Sequence, residues 1–141
     1  MLRNVAVFAV VAGLAVASCG DSAVKVSSPL FVSDTQPANG ATTSAAALNV
    51  VAVSFSEAVA GDTLAGRVNL AAVGSWTDTG EGQAVALGAP LLTEDKLTAM
   101  YAVTAPLNPG TYCRITVLKE GIESASGNTM AADVRHYFLA E

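Results

Sequence analysis

TQPANGATTSAAALNVVAVSFSEAV, residues 35–59, holds the pattern on which the fold turns. In its second half, Asn49 to Phe55, Val51, Val53 and Phe55 fall on one face of an extended strand and Val50, Ala52 and Ser54 on the other. Both faces are fairly apolar, which places this strand inside a sheet rather than at its edge. Ahead of it, the turn-forming run DTQPANGA (34–41) stops a short first strand at Leu30–Ser33. Between the two lies SAAAL (44–48), the only helical temptation in the chain, with length for one turn and too short to stand alone.

The same period of about two continues outward. Val68–Ala72 is a weaker strand, and Gln83–Leu87 follows the loop WTDTGEG (76–82). Leu97, Ala99, Tyr101 and Val103 alternate with Thr98, Met100, Ala102 and Thr104, as in a half-buried strand. Thr111–Leu118 and Val134–Leu139 complete a set of about seven short strands separated by Gly, Pro, Asn and Asp turns. That spacing predicts an all-β sandwich, with a mixed α+β domain as the alternative. No internal repeat is visible.

Three stretches carry a family resemblance: residues 35–59, LNPGTYCRITV (107–117) and SGNTMAADVRHYFLA (126–140). In order and type they resemble the bacterial immunoglobulin-like (Ig-like) domain of the S-layer protein type. That pattern runs Pro-x-x-Gly, a strand ending Phe-Ser-Glu-x-Val, a Leu-x-Pro-Gly-Thr turn into a Tyr-containing strand, then Gly-Asn before a last strand with Phe. Each element also has a local reason. Pro37 and Gly40 turn the chain from the first edge strand into the sandwich, and Phe55 fills the core while Ser56 and Glu57 end the strand at the rim. Pro109-Gly110 suits a turn with φ preset at one corner and positive at the next, and Gly127-Asn128 serves the last strand, where Phe138 packs inward. Two features depart from the pattern. After Tyr112 the apolar residues are Cys113, Ile115 and Val117, not the positions of Arg114 and Thr116, so the strand is either shifted by one residue or corrected by a bulge. The shift is simpler and makes Cys113 a buried small hydrophobe. The acidic, glycine-rich TDTGEGQ (77–83) reads as an inserted loop tip.

The N-terminus reads separately. One charge in MLRN, a run of about a dozen mostly apolar residues from Val5 to Val16, and small residues at its end are the parts of a signal peptide; an uncleaved anchor is the alternative. Val16-Ala17-Ser18-Cys19 resembles the lipobox of bacterial lipoproteins, whose cysteine is acylated and becomes the new N-terminus. The other outcome is ordinary cleavage leaving a free thiol. The expected organisation is a cleaved lipoprotein signal peptide at 1–18, the lipidated Cys19 with a flexible tether to residue 29, and an Ig-like domain over 30–141. Two or more acyl chains on Cys19 would hold the protein at a membrane. In that family the residue after the cysteine directs sorting; Gly20 there, with Asp21 one place later, favours the outer membrane in a Gram-negative source. A lipidated Cys19 also leaves Cys113 without a disulfide partner.

Composition narrows the partners. The formal charge is −5, and loss of Arg3 with the signal makes it −6. Lys25, Arg67, Lys96, Arg114, Lys119 and Arg135 are scattered, which argues against nucleic acid. One histidine, His136, and no Cys-X-X-Cys exclude a zinc site of the usual kind and a histidine-based triad. His136 reads as a partly exposed strand residue. Glu57, Asp78, Glu81, Glu94 and Asp95 are the oxygen donors within reach of loops, but no spaced loop motif gathers the six to eight oxygens that calcium takes. Trp76 reads as core or rim packing beside a loop, and Cys113 as inert because Arg114 lies on the opposite face.

A second resemblance is to the periplasmic copper-carrier family, through Pro-x-x-Gly, Phe-Ser-Glu-x-Val and Pro-Gly-Thr-Tyr. That family's ligands, an N-terminal histidine and an Asp-Gly-His segment, have no counterpart in EGIESASGN (120–128) or at Cys19. The expected function is therefore a non-catalytic, lipid-anchored envelope protein with a structural, adhesive or protein-interaction role, with no catalytic residue, no metal and no cofactor. The alternative is a small ligand-binding or enzyme-accessory lipoprotein. A deep pocket lined by Trp76, Tyr101 or Glu57 would favour the alternative, and a closed sandwich the first reading.

Overall fold

A computed structural model describes residues 27–141 and is all-β. The expected signal peptide and Cys19 lie outside the described residues, as does most of the tether, of which Ser27–Pro29 are exposed and outside any strand. Nine strands form two sheets: β1 (Val32–Gln36), β2 (Thr42–Thr43), β3 (Val50–Phe55), β4 (Val68–Val73), β5 (Gln83–Val85), β6 (Leu91–Leu92), β7 (Thr98–Ala102), β8 (Thr111–Val117) and β9 (Val134–Ala140). One sheet has the order β1-β3-β7-β6 and the other β2-β9-β8-β4-β5. β2 and β6, two residues each, raise the count above the expected seven; no periodicity can show in so short a segment. Residues 45–47 form the single turn expected of SAAAL.

β3 is an interior strand, paired with both β1 and β7. Its Val51, Val53 and Phe55 are buried, and with Ala99 and Tyr101 of β7 they face Leu70, Cys113, Ile115, Val117 and Phe138 of the other sheet. Cys113, Ile115 and Val117 therefore take the inward positions, and the register of β8 against both β4 and β9 is continuous from residue 112 to 117. The one-residue shift is what the chain does, and no bulge is needed. Leu30, Val59, Leu64, Ile122 and Met130 close one end of the core.

The first strand departs from expectation. It runs on through Asp34, Thr35 and Gln36, so the turn begins only at Pro37. Leu30 makes an isolated bridge to Met130 instead of opening the strand. The reason lies in Thr35, which is 1% exposed. Its hydroxyl donates to the Pro37 carbonyl at 3.0 Å and lies 2.9 Å from Nδ1 of His136 on β9. With its one proton committed to Pro37, the hydroxyl accepts from Nδ1–H, so a polar contact ties one sheet to the other at the edge of the core. Gly40, at φ +80°, then carries the chain across to β2, and its N–H donates to the Tyr137 carbonyl.

Thr35→Val keeps the shape of this side chain and removes its hydroxyl. It is expected to lower the unfolding free energy by about 1–3 kcal/mol, because the Pro37 carbonyl and His136 are left unpaired. Thr35→Ser keeps the hydroxyl and is expected to lose about 0.8 kcal/mol, the value of one buried methyl group. Urea unfolding of the two variants against the parent checks the order.

Candidate functional site

The outer face of β8 carries the first unexpected arrangement. Alternation points Arg114 away from the core, yet it is only 7% exposed. The segment after β4 folds back over the sheet and covers it. Nη1 of Arg114 donates to the Asp78 carbonyl at 2.8 Å, Nη2 to the Glu81 carbonyl at 3.2 Å, and the Tyr137 hydroxyl reaches the same Asp78 carbonyl at 2.9 Å. The Asp78 carboxylate fixes the loop from within, accepting the N–H groups of Gly74 and Gly80 at 2.8 Å each. Those two bonds, with a smaller contribution from the Arg114 charge, hold its carboxyl below the ordinary aspartate value. Gly82 closes the loop at φ +68°, where a Cβ would stand 2.5 Å from the Ala72 carbonyl oxygen. TDTGEGQ is thus a clamp over the sheet and not a projecting tip. Trp76, 37% exposed, packs edge-on against Tyr112 with ring centroids 5.3 Å apart, which is rim packing.

A second polar cluster sits at one end of the sandwich. The Glu57 carboxylate accepts from Nδ2 of Asn128 at 2.9 Å and from the Ser126 hydroxyl at 2.8 Å, and Ser124 bonds Ser126. Ser27, where the described chain begins, donates to Oδ1 of Asn128. The bond from Asn128 is the largest influence holding the Glu57 carboxyl below its usual range, followed by that from Ser126. The Phe-Ser-Glu segment and the Gly-Asn turn are therefore two halves of one latch. Glu57 takes its bonds from side chains of its own fold.

The remaining candidates stay apart. Asp95 accepts from Thr93 at 2.6 Å and from the Leu97 N–H at 3.0 Å, which shapes the β6–β7 turn and lowers its carboxyl pKa. Glu94 is exposed beside it. No three His, Cys, Asp or Glu side chains come together among the described residues. Cys113 is fully buried, and burial pushes its thiol up to about 11, away from thiolate chemistry.

A wide opening lies along β4. β5 pairs with β4 only from Leu70 to Ala72. The next pairs in that register would be Asn69 with Ala86 and Val68 with Leu87, but Leu87 bridges to Val103 of the opposite sheet, and the Ala86 carbonyl accepts from the Thr104 N–H. The chain has changed sheets and left the end of β4 uncovered. The resulting cleft, about 910 Å³, has Leu70, Val85, Leu87 and Tyr101 on its inner side and Asn69, Arg114 and Thr116 on its outer side. Of the three residues that would mark a binding pocket, Tyr101 lines it and Trp76 and Glu57 do not.

Two sheets packed face to face, antiparallel throughout except for the short parallel β2–β9 pair, with crossovers at 37–41 and 86–90 and a polar latch at one end, define an Ig-like β-sandwich domain. The chain belongs to the bacterial Ig-like domain family, whose sequence model matches residues 26–139. Among solved structures it is similar to the surface layer protein SbsC, domains 1-6, with a TM-score of 0.59 at 13% identity, over 81% of this chain and 14% of that one. The present chain thus spans about one seventh of that solved chain. It is also similar to PcoC, a copper resistance protein from Escherichia coli, with a TM-score of 0.60 at 14% identity, over 79% of this chain and 99% of that one. CopC from Methylosinus trichosporium OB3b gives 0.52 at 17% identity, over 79% and 93% of the two chains. At these identities the likeness is one of fold. A search of curated protein sequences finds no match.

Two outcomes follow from the clamp and the latch. Arg114→Met keeps the length of the side chain and removes its donors; it is expected to free the 76–82 loop, seen as faster proteolysis there and a red-shifted Trp76 emission. For Glu57 the unfolded state, with a carboxyl near 4.5, binds a proton before the folded state does. The latch therefore stabilises the fold in full above that pH and loses its contribution as pH falls through the lowered folded value. Glu57→Gln is expected to have a lower Tm than the parent at pH 7, with the gap closing in strong acid.

Proposed function

We propose that this protein is a non-catalytic, lipid-anchored Ig-like module of the bacterial cell envelope that works through surface contact with another protein. The observation that carries the reading is the use the fold makes of its reactive side chains. Glu57, Asp78 and Asp95 each accept hydrogen bonds from their own turns or latch, and His136 faces Thr35 across the sheets. Groups so engaged hold structure and do not converge on a reacting atom. Family membership supports the module, and the surface-layer neighbours support an envelope setting.

Anchoring rests on Cys19 and its lipobox-like context, with the outer membrane as the favoured destination because Gly20 follows. Asn128, which receives Ser27, ties the start of the domain to the Glu57 end of the sandwich. A tether from residue 19 to residue 26 reaches roughly 25 Å at full extension, so this end faces the membrane and the Pro109–Gly110 end faces away. The second reading, a ligand-binding lipoprotein, has one observation in its favour: Tyr101 lines the cleft. The copper-resistance neighbours share the fold, but His136 is turned toward Thr35 and the segment 120–128 holds no histidine.

Growth with an alkyne fatty acid tests the anchor. The parent protein is expected to take up label and sediment with membranes, and Cys19→Ala to lose both. An unlabelled parent, or a Cys19→Ala protein still processed and membrane-bound, overturns the reading.

A further inference from the structure

Two side-chain polar atoms among the described residues are buried without a protein partner, the Tyr101 hydroxyl and Nε of Arg114. Both residues line the cleft beside β4. Buried polar groups are nearly always paired in folded proteins, and two exceptions at one opening mark it out. We propose that this cleft is a binding site for a small monocarboxylic acid with an apolar body.

The unmet groups call for oxygen. Nε–H of Arg114 can only donate, and the Tyr101 hydroxyl has a proton to give. The Arg67 carbonyl accepts from Leu118 beside β8, so the alternation of the ladder turns the N–H of Val68 the other way, toward the cleft. Charge then selects an anion. The guanidinium's two bonds end on the neutral carbonyls of Asp78 and Glu81, while the Asp78 carboxylate, bonded to Gly74 and Gly80, acts on Arg114 only through space and makes no contact with it. A buried cation without a contacting counter-ion favours a carboxylate. The Glu81 side chain at the rim disfavours anions of higher charge, such as phosphates.

The opening sets the pose. Arg114 belongs to the outer face of its sheet and Tyr101 to the space between the sheets, so the carboxylate stays at Arg114 while the body passes beneath the Ala86–Leu87 crossover. Leu70, Val85, Leu87 and the Tyr101 ring form its apolar wall, and the Tyr101 hydroxyl meets a polar atom at the inner end of the body. The volume is within the range of small-molecule sites, about 300–1,000 Å³. Both unpaired atoms are closed off from solvent, so binding requires the side chains above them to move aside. This site goes beyond the contact role and does not depend on Cys19.

The test is an NMR titration of the purified full chain with 3-(4-hydroxyphenyl)propionate, its uncharged amide, and inorganic phosphate. The acid is expected to cause saturable shifts at Val68–Ala71 and Glu81–Pro90, with the amide and phosphate at least tenfold weaker. Tyr101→Phe, which keeps the ring and the packing, is expected to weaken the acid severalfold. Shifts that fail to saturate up to 10 mM, shifts that map elsewhere, an amide or a phosphate that binds as well as the acid, or a Tyr101→Phe chain that binds the acid as tightly as the parent overturns the proposal. The anchoring result at Cys19 is read separately and is untouched by any of these outcomes.

Discussion

Covering β8 on both faces is the constraint from which the rest of the structure follows. Its inner face is solved by hydrophobic packing: Cys113, Ile115 and Val117 meet the Val51–Phe55 face of the other sheet. Its outer face carries a guanidinium, which cannot be covered by apolar groups without a large desolvation cost. The chain meets this with backbone oxygen. A loop of glycines and one aspartate folds back, presents two carbonyls to Arg114, and is held in that shape by its own carboxylate. The loop needs glycine at 82 because any Cβ there would strike the Ala72 carbonyl. Loop composition, arginine position and strand burial are one arrangement seen from three residues.

That arrangement also explains which parts of the fold were legible. β3, β4, β7, β8 and β9 each run five or more residues, enough for a period of two to repeat, and the inward phase of β8 followed from its apolar positions alone. Thr35 was hidden because a polar residue in DTQPANGA looks like turn chemistry, and only its distant partner on β9 makes it a strand residue. Arg114 was hidden for a related reason. Alternation correctly gave its direction, but "outward" means solvent only if nothing returns to cover the sheet. The side chains of Asp78 and Glu81 suggest oxygen ligands, yet it is their carbonyls, which every residue possesses, that hold Arg114. Backbone roles leave no trace in residue type.

The polar latch gives a physical meaning to the spacing of the family pattern. Phe-Ser-Glu and Gly-Asn lie about seventy residues apart, and the carboxylate of Glu57 is what joins them. A carboxylate can accept several bonds at once, so a single residue pins the end of β3, the turn before β9 and, through Asn128, the first described residue. An amide in its place would keep fewer of those bonds and lose the charge that strengthens them. The latch therefore fixes where the described chain enters the sandwich. Under the proposed anchoring at Cys19, this would decide which end is presented to a partner.

The cleft is a geometric consequence of joining two sheets by one continuous chain. A connection that leaves β5 for β6 must give up its pairing with β4 before it can begin pairing with β7. At that point the first two positions of β4, Val68 and Asn69, are left without partners on that side and the sheets part at their edge. Closing the gap would take a large side chain at the crossover, but the residues after Leu87 are Gly88, Ala89 and Pro90. A Cβ at Gly88 would sit 3.4 Å from the Ala102 methyl, in ordinary contact with β7. The crossover is thin because it passes close over β7, and a thin crossover leaves room beside β4. The opening thus comes from the same packing that closes the sandwich elsewhere, and the unpaired hydroxyl and guanidinium nitrogen belong to the two residues, one from each sheet, that the parting strands leave beside it.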